Sequence, residues 1–250
     1  MYKSLAKPLF VGKTVYFLPS CHSTNDIAVD YANEGKLSEG AIVITNDQTA
    51  GKGQRGNHWE SAPGKNLTFS VLLKPLFVSI VRQFDLNIIV SLGILDFLKT
   101  LKNGFQVKWP NDIYFEDKKV CGILIQNFLK KQTIDKSVVG IGLNVNQQAF
   151  KIATATSLSQ IIGSTYELQE VLENIASCIE ARYLSLRAGA RDKLKSAYLD
   201  NLYWFGEDHI FKNGKPFTGR IVDISDEGKL QIETRQGIKS FAMKEVAFID

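Results

Sequence analysis

The 250-residue sequence predicts an α+β fold, a mixed β-sheet with flanking helices followed by a small C-terminal β-barrel. Two observations carry that prediction. Up to about residue 203, short β-rich runs are interspersed with longer segments whose apolar residues recur at helical spacing. From Gly206 onward the texture changes to short β-runs separated by NG, DEG and QG turns. The order of these two textures divides the chain into a main domain, residues 1–204, and a barrel, residues 205–250. A barrel of about 45 residues buries too little to be very stable alone, so it is expected to dock on the main domain.

Taken in order, residues 14–18 form a β-rich run ended by Pro19 and Ser20. The run Ser23, Thr24, Asn25, Asp26 resembles a capping box, opening a helix through Ala32 that Asn33 and Gly35 close. Residues 41–45 are a short apolar strand, followed by a glycine-rich basic loop from Gln48 to about Gly64. Residues 66–73 alternate as a strand does, with Leu67, Phe69 and Val71 on one face. Residues 85–101 place Ile88, Ile89, Leu92, Leu95 and Leu98 at helical spacing, and Gly104 follows the stop. Residues 105–109, 112–115 and 120–128 are expected strands, the last two joined by the charged turn Glu116, Asp117, Lys118. Residues 138–145, which include the run GIGLN, form a further apolar strand, and helices are expected over 168–186 and 191–203.

Composition narrows the function. A hydrophobic content of 44% with 22% charged residues describes a soluble globular chain that can bury a core. The formal charge of +4 suits anionic ligands or an acidic protein partner. It falls short of the concentrated basic face of a nucleic-acid binder, and the barrel mixes Asp223, Asp226 and Glu227 with its bases. No nucleic-acid partner is therefore expected. Cys21, Cys121 and Cys178 lie far apart, which fits a reducing cytoplasm, and none combines with His22, His58 or His209 at metal-ligand spacing. The first residues lack the apolar run of a leader. The most apolar helix is interrupted by Asn87, Ser91 and Asp96, so no membrane association is expected.

Several short stretches are suited to chemistry, each with a plainer account beside it. In the run from Ala50 to Gly56, Gly51, Gly53 and Gly56 let the backbone approach a ligand, and Lys52 and Arg55 add charge for a phosphate; a flexible basic surface loop has the same composition. The run is neither a Walker A loop nor a dinucleotide fingerprint. Trp59 is placed to stack on a base, or simply to anchor the loop. In Lys108-Trp109-Pro110-Asn111-Asp112 the proline marks a strand end and leaves a polar pair there. Asp112 suits a lysine or Mg²⁺ on phosphates, although Asn111 and Asp112 also make ordinary turn residues. Lys119 heads an apolar strand, where it either enters a pocket or is one more solvated charge. Ser23, Thr24 and Asn25 offer polar groups at a helix start, or simply cap it.

Their combination and order are more specific than any one of them. STN at 23–25, QxxGxGxxG at 48–56 with Trp59 three residues on, KWPND at 108–112, KxxGIL at 119–124 and GxGLN at 140–144 together resemble the biotin–protein ligase family. The resemblance covers the main domain, and the final barrel looks like the family's SH3-like C-terminal domain. It implies a catalytic core related to class II tRNA synthetases and lipoate ligases. The implied activity is that of a biotin–[acetyl-CoA-carboxylase] ligase: biotin and ATP, with Mg²⁺, give biotinyl-5'-AMP, and the biotin then passes to a lysine of a biotin carboxyl carrier protein. The repressor-type members' N-terminal winged-helix domain has no counterpart before the catalytic pattern, so a ligase without transcriptional duty is expected.

The resemblance also implies roles, residue by residue. Ser23, Thr24, Asn25, Gln48, Gly51, Lys52, Lys119, Gly142 and Leu143 would surround biotin. Lys52, Gln54, Arg55, Trp59, Lys108, Asn111, Asp112 and Asn144 would serve ATP, with Lys119, Asp112 and Arg55 catalytic and Mg²⁺ near Asp112. One departure stands out: where the family's loop usually reads GRGRxG, this chain has GKGQRG. Lys52 keeps a charge without the planar fork of arginine, and Gln54 loses it, leaving Arg55 to compensate. The nearest rival, a lipoate or octanoate ligase of the same fold, is disfavoured because the RRxSGGG run of lipoate ligases is absent. A non-enzymatic ligand or nucleic-acid binder is the rival of a different class. The sequence leaves a homodimer open.

Overall fold

The computed structural model describes residues 2–53 and 58–249. Seven strands form the main sheet, in the order β1-β2-β3-β7-β6-β5-β4. They are β1 Val15–Cys21, β2 Ile42–Gln48, β3 Leu67–Leu73, β4 Phe105–Lys108, β5 Asp112–Phe115, β6 Lys118–Lys130 and β7 Thr133–Leu143. The β1–β2 pair is parallel, as its helical crossover requires, and every other pair is antiparallel, so the sheet is mixed.

The helices cover both faces unequally. One face packs on α2 (Asp85–Leu101), α4 (Leu168–Arg187) and α5 (Arg191–Leu199), which close the large core. Gly93 on α2 lets α4 come close, since a Cβ there would lie 2.7 Å from the Ile179 Cα. The other face carries α1 (Thr24–Asn33), whose Ala28 and Ala32 pack with Val43, Leu72 and Val138 in a second, smaller core. The site lies on this face, at the start of α1, whose Thr24 and Asn25 line it.

The second sheet is five-stranded and antiparallel, ordered β11-β10-β9-β8-β12. It comprises β8 Asp208–Asn213, β9 Lys215–Ile224, β10 Leu230–Thr234, β11 Gly237–Phe241 and β12 Ala247–Phe248. It is docked through apolar and polar contacts alike. Its Phe211, Ile221, Leu230 and Ile232 join the same core as α2 and α5. The Trp109 indole donates to the Gly228 carbonyl at 3.0 Å, and Arg191 binds both Asp85 and Asp226.

Most expected elements form, with informative differences. All seven residues of β3 are buried, not every second one, because α1 and the site cover its second face. The helix expected over 191–203 ends at Leu199. Residues 201–203 leave it to bond the outer edge of β4, with Val107 N–H donating to Asn201 and Tyr203 N–H to Val107. That covers an edge which would otherwise expose a row of unpaired backbone groups. A short helix, α3 (Leu158–Ile162), was not expected from the sequence.

Candidate active site

Strand side chains alternate between the two faces of a sheet, and here the two sets differ in size. On β3, Phe69 and Val71 enter the core while Thr68 and Ser70 face the other way; on β7, Val139, Ile141 and Leu143 enter the core while Gly140 and Gly142 face away. Register brings the small residues together. Thr68 pairs with Gly142, Gly142 with Gly122, and Gly122 with Asp112, making one row across four strands. Ser70, Gly140 and Leu124 form the next row. The missing side chains leave a trench, and over it lies a cavity of about 510 Å³, within the range of small-molecule sites.

A hydrogen-bond network closes one end of the trench. Gln48, at the end of β2, accepts through Oε1 from the Thr24 N–H at 2.8 Å and lies 3.3 Å from the Thr24 hydroxyl. The Ser70 Oγ lies 2.9 Å from both the Thr24 hydroxyl and Asn25 Oδ1. The Asn25 amide donates to Gln126 Oε1 at 2.9 Å. Ser23 caps α1, accepting from the Asp26 N–H. A side chain on Gly140 would overlap Asn25 Oδ1, so this position requires glycine.

The other end is charged. The Lys119 ammonium lies 2.7 Å from Asp112 Oδ1, and both side chains are about 30% exposed, at 30% and 27%. Lys119 is held through its backbone, donating to Thr154 at 2.7 Å and accepting from Thr156 at 3.0 Å. Asn111 is buried and donates to the Ile123 carbonyl, tying the KWPND turn to β6. Beside the pair, burial pushes the Tyr114 hydroxyl up to about 12, and the Asp112 carboxylate adds to that. Burial also raises the Cys121 thiol far above its ordinary range, so it is not a nucleophile.

Lys52, Gly53, His58 and Trp59 of the glycine-rich stretch line the cavity, and its two ends are joined where the Trp59 N–H donates to the Gly51 carbonyl at 3.0 Å. The Lys52 ammonium lies 2.7 Å from Asp26 Oδ2. The Trp59 indole lies on the trench floor, close enough that a side chain on Gly142 would overlap it and a Cβ on Gly122 would stand 3.1 Å away. Its Nε1 is buried and has no hydrogen-bond partner among the described residues, and Lys119 sits 5.7 Å above the ring.

Of the residues singled out in the sequence, Ser23, Thr24, Asn25, Gln48, Lys52, Trp59, Asn111, Asp112, Lys119 and Gly142 line this cavity. Four others do not. Leu143 points into the core. Gly51 supports the loop base, where a Cβ would stand 2.6 Å from the Trp59 carbonyl oxygen. Asn144 braces the strand behind Lys119, its N–H donating to Val120 and its amide to the Thr156 carbonyl. The Lys108 ammonium sits over Tyr114, Tyr203, Phe248 and Trp204, at 4.5, 5.2, 5.1 and 5.9 Å from their ring centroids, and so joins the main sheet to the barrel. Gln54 and Arg55 lie outside the described residues. Thr68, Tyr114, Ile152, Thr154 and Lys244 line the cavity without having been anticipated. Thr68 and Ser70 had a signal, two polar residues on one face of an apolar strand.

Residues 17–144 match the biotin/lipoate A/B protein ligase family, and residues 210–247 match the biotin protein ligase C terminal domain. The chain is 30% identical over 238 residues to the bifunctional ligase/repressor BirA of Bacillus spizizenii, covering 92% of this chain and 72% of that protein. It is 27% identical to the biotin--[acetyl-CoA-carboxylase] ligase of Mycobacterium tuberculosis, covering 84% and 80%. Among solved structures, the biotin protein ligase from Aquifex aeolicus in complex with biotin and ATP superimposes with a TM-score of 0.80 at 29% identity, covering 95% of this chain and 99% of that one. The trench, the Lys119–Asp112 pair and the docked barrel thus sit within segments that match a known family along most of the chain, and the protein belongs to the biotin/lipoate A/B protein ligases.

Proposed function

We propose that this protein activates biotin with ATP, giving biotinyl-5'-AMP and diphosphate, and then transfers the biotin to a specific lysine of a biotin carboxyl carrier protein. One observation carries the reading: a narrow glycine-floored trench joins a neutral hydrogen-bonding network to a lysine–aspartate pair. Biotin has the matching polarity, a neutral ureido group at one end and a carboxylate at the other. Ser23, Thr24, Asn25 and Gln48 are assigned to the ureido end, and Lys119 to the carboxylate.

In the first step a biotin carboxylate oxygen attacks the α-phosphorus of ATP and diphosphate leaves. Two anions must approach, so positioning and charge neutralisation dominate. Lys119 supplies a cation beside the reacting oxygens, and Asp112 orients it. In the second step the carrier's lysine amine attacks the acyl carbon, and AMP leaves with the bonding electrons. No enzyme nucleophile is needed, in keeping with the inert Cys121. Gln54 and Arg55 are assigned by the same reading to the loop over ATP.

Mg²⁺ fits this donor set as an ion held mainly by phosphate. Among the described residues no group of three or more His, Cys, Asp or Glu side chains could hold a metal, and Asp112 is the carboxylate that lines the cavity. Mg²⁺ commonly binds through one or two carboxylates plus substrate phosphates, where it offsets their charge. The division at 204/205 into a catalytic domain and a docked barrel belongs to the same proposal. Among the described residues, no helix is long and apolar enough to cross a membrane.

The test is biotin-dependent exchange of pyrophosphate into ATP, with lipoate as the control. Exchange with biotin alone is expected. Exchange with lipoate alone would transfer the protein to the lipoate branch of the family, and exchange with neither would overturn the adenylation step.

A further inference from the structure

The neutral end of the trench has a direction that packing does not set. Asn25, Thr24 and Ser70 are all buried there, at 4%, 3% and 0% exposure. Asn25 lies so close to β7 that a Cβ on Gly140 would stand 2.4 Å from its Oδ1 and 2.9 Å from its Cγ. Such packing fixes the plane of the amide. It does not decide which end is oxygen, because the two ends are nearly equal in size. Hydrogen-bond partners decide that.

Two acceptors face the amide nitrogen. It donates to Gln126 Oε1 at 2.9 Å, and the Leu124 carbonyl lies 3.5 Å away. Asn25 Oδ1 is thereby turned to Ser70. A serine hydroxyl has one proton, yet the Ser70 Oγ lies 2.9 Å from both Asn25 Oδ1 and the Thr24 hydroxyl. An amide oxygen cannot donate, so Ser70 donates to Asn25, and Thr24 donates to Ser70. The Thr24 proton is then committed, and Gln48 Oε1 is left to accept from the Thr24 N–H at 2.8 Å. Thr24 and Gln48 both line the cavity, which therefore meets the Thr24 hydroxyl oxygen as an acceptor and the Gln48 amide as a donor. With the Asn25 amide reversed, its nitrogen would donate to Ser70, Ser70 to Thr24, and Thr24 would have a proton to give.

We propose that Gln126 is a positioning residue that sets ligand specificity. By holding the Asn25 amide in one direction it makes the Thr24 hydroxyl an acceptor, so the trench selects a cyclic urea, which has N–H groups to give. A dithiolane or a plain acyl chain has none, and would leave the buried acceptor unmatched. Gln126 lies outside the cavity lining and acts through Asn25 and Ser70. It is an exposed residue of β6, paired with Val138, so changing it leaves the core untouched. The inference rests on the biotin reading of the site and names what makes that site read biotin.

The test is calorimetric titration of biotin, and separately of lipoate, into the full chain and two variants, alongside their melting temperatures. Gln126→Glu keeps an acceptor opposite the Asn25 amide, whereas Gln126→Lys offers only donors and favours the reversed amide. Both should melt within a few degrees of wild type. Gln126→Glu should bind biotin within about twofold of wild type, and Gln126→Lys about tenfold more weakly, the scale of one mismatched pair in a buried network. The ratio of biotin to lipoate affinity should fall in step, while ATP affinity, governed by the other end of the trench, should not move. Unchanged biotin affinity in folded Gln126→Lys overturns the inference. So does an equal loss in both variants, which a merely structural role would give. A wild type that binds lipoate and not biotin would reject the biotin reading itself, and the inference with it; a wild type that binds biotin, with no difference between the variants, would reject the inference alone.

Discussion

At the middle of the main sheet, β3, β7 and β6 build both faces, yet the two faces do opposite things. On the core face, Phe69, Val71, Val139, Ile141 and Ile123 fill space against α2 and α4. On the site face, Thr68, Ser70, Gly140, Gly142 and Gly122 leave it open. Period-two alternation lets one strand serve both tasks without compromise, since a change on one face need not disturb the other. Stability and ligand binding should therefore be separable, residue by residue, along β3, β6 and β7.

The largest expected effect lies on the core face. Phe69 is fully buried, and Phe69→Ala should cost about 3–5 kcal/mol of stability, read by urea unfolding. KM for biotin should stay as it was in the fraction that remains folded. On the site face, Lys119→Ala should lower the adenylation rate by roughly 10²–10³-fold, the scale of one preorganised electrostatic donor, with no change in melting temperature. Near-normal adenylation by that variant would break the assignment of Lys119. A smaller effect is expected at Ser70, whose hydroxyl supports the Thr24–Asn25 network. Ser70→Ala should weaken biotin binding about tenfold, the cost of leaving buried polar partners unsatisfied.

Smallest in energy, but sharpest as a probe, is Trp59. Its indole lies where a trench-bound ligand must lie, and its buried Nε1 has no hydrogen-bond partner among the described residues. Biotin should displace it and change the tryptophan fluorescence. Trp59→Phe should abolish that signal, although Trp109 and Trp204 remain, and should alter biotin affinity only a few-fold. A signal that survives the substitution would show that Trp59 does not move.

How much of this was legible in the sequence depended on the range of the contacts involved. The helix over 85–101 was readable to the residue, because its apolar spacing and the glycine beyond it are local signals. The strand at β3 was readable too, but not its double burial, which α1 imposes from outside. Residues 201–203 looked helical, and their pairing with β4 is a long-range contact that overrides local preference. In the site, the order of STN, KWPND and KxxGIL located Ser23, Thr24, Asn25, Asn111, Asp112 and Lys119 on the lining. It did not separate residues that touch the cavity from those that brace it: Lys108 is caged between domains and Asn144 supports the Lys119 strand from behind. Lys244 had no signal, because its place depends on how the barrel docks.

The most direct test of the contrast between the two faces is a calorimetric titration of biotin into wild type and Gly142→Val, alongside their melting temperatures. Gly142 lies in the middle of the trench row, paired with Thr68 on one side and Gly122 on the other. Wild type should bind biotin and Gly142→Val should not, while the two melt within a few degrees of each other. Equal biotin affinity in the folded variant would contradict the claim that the emptied face of the sheet is the biotin site.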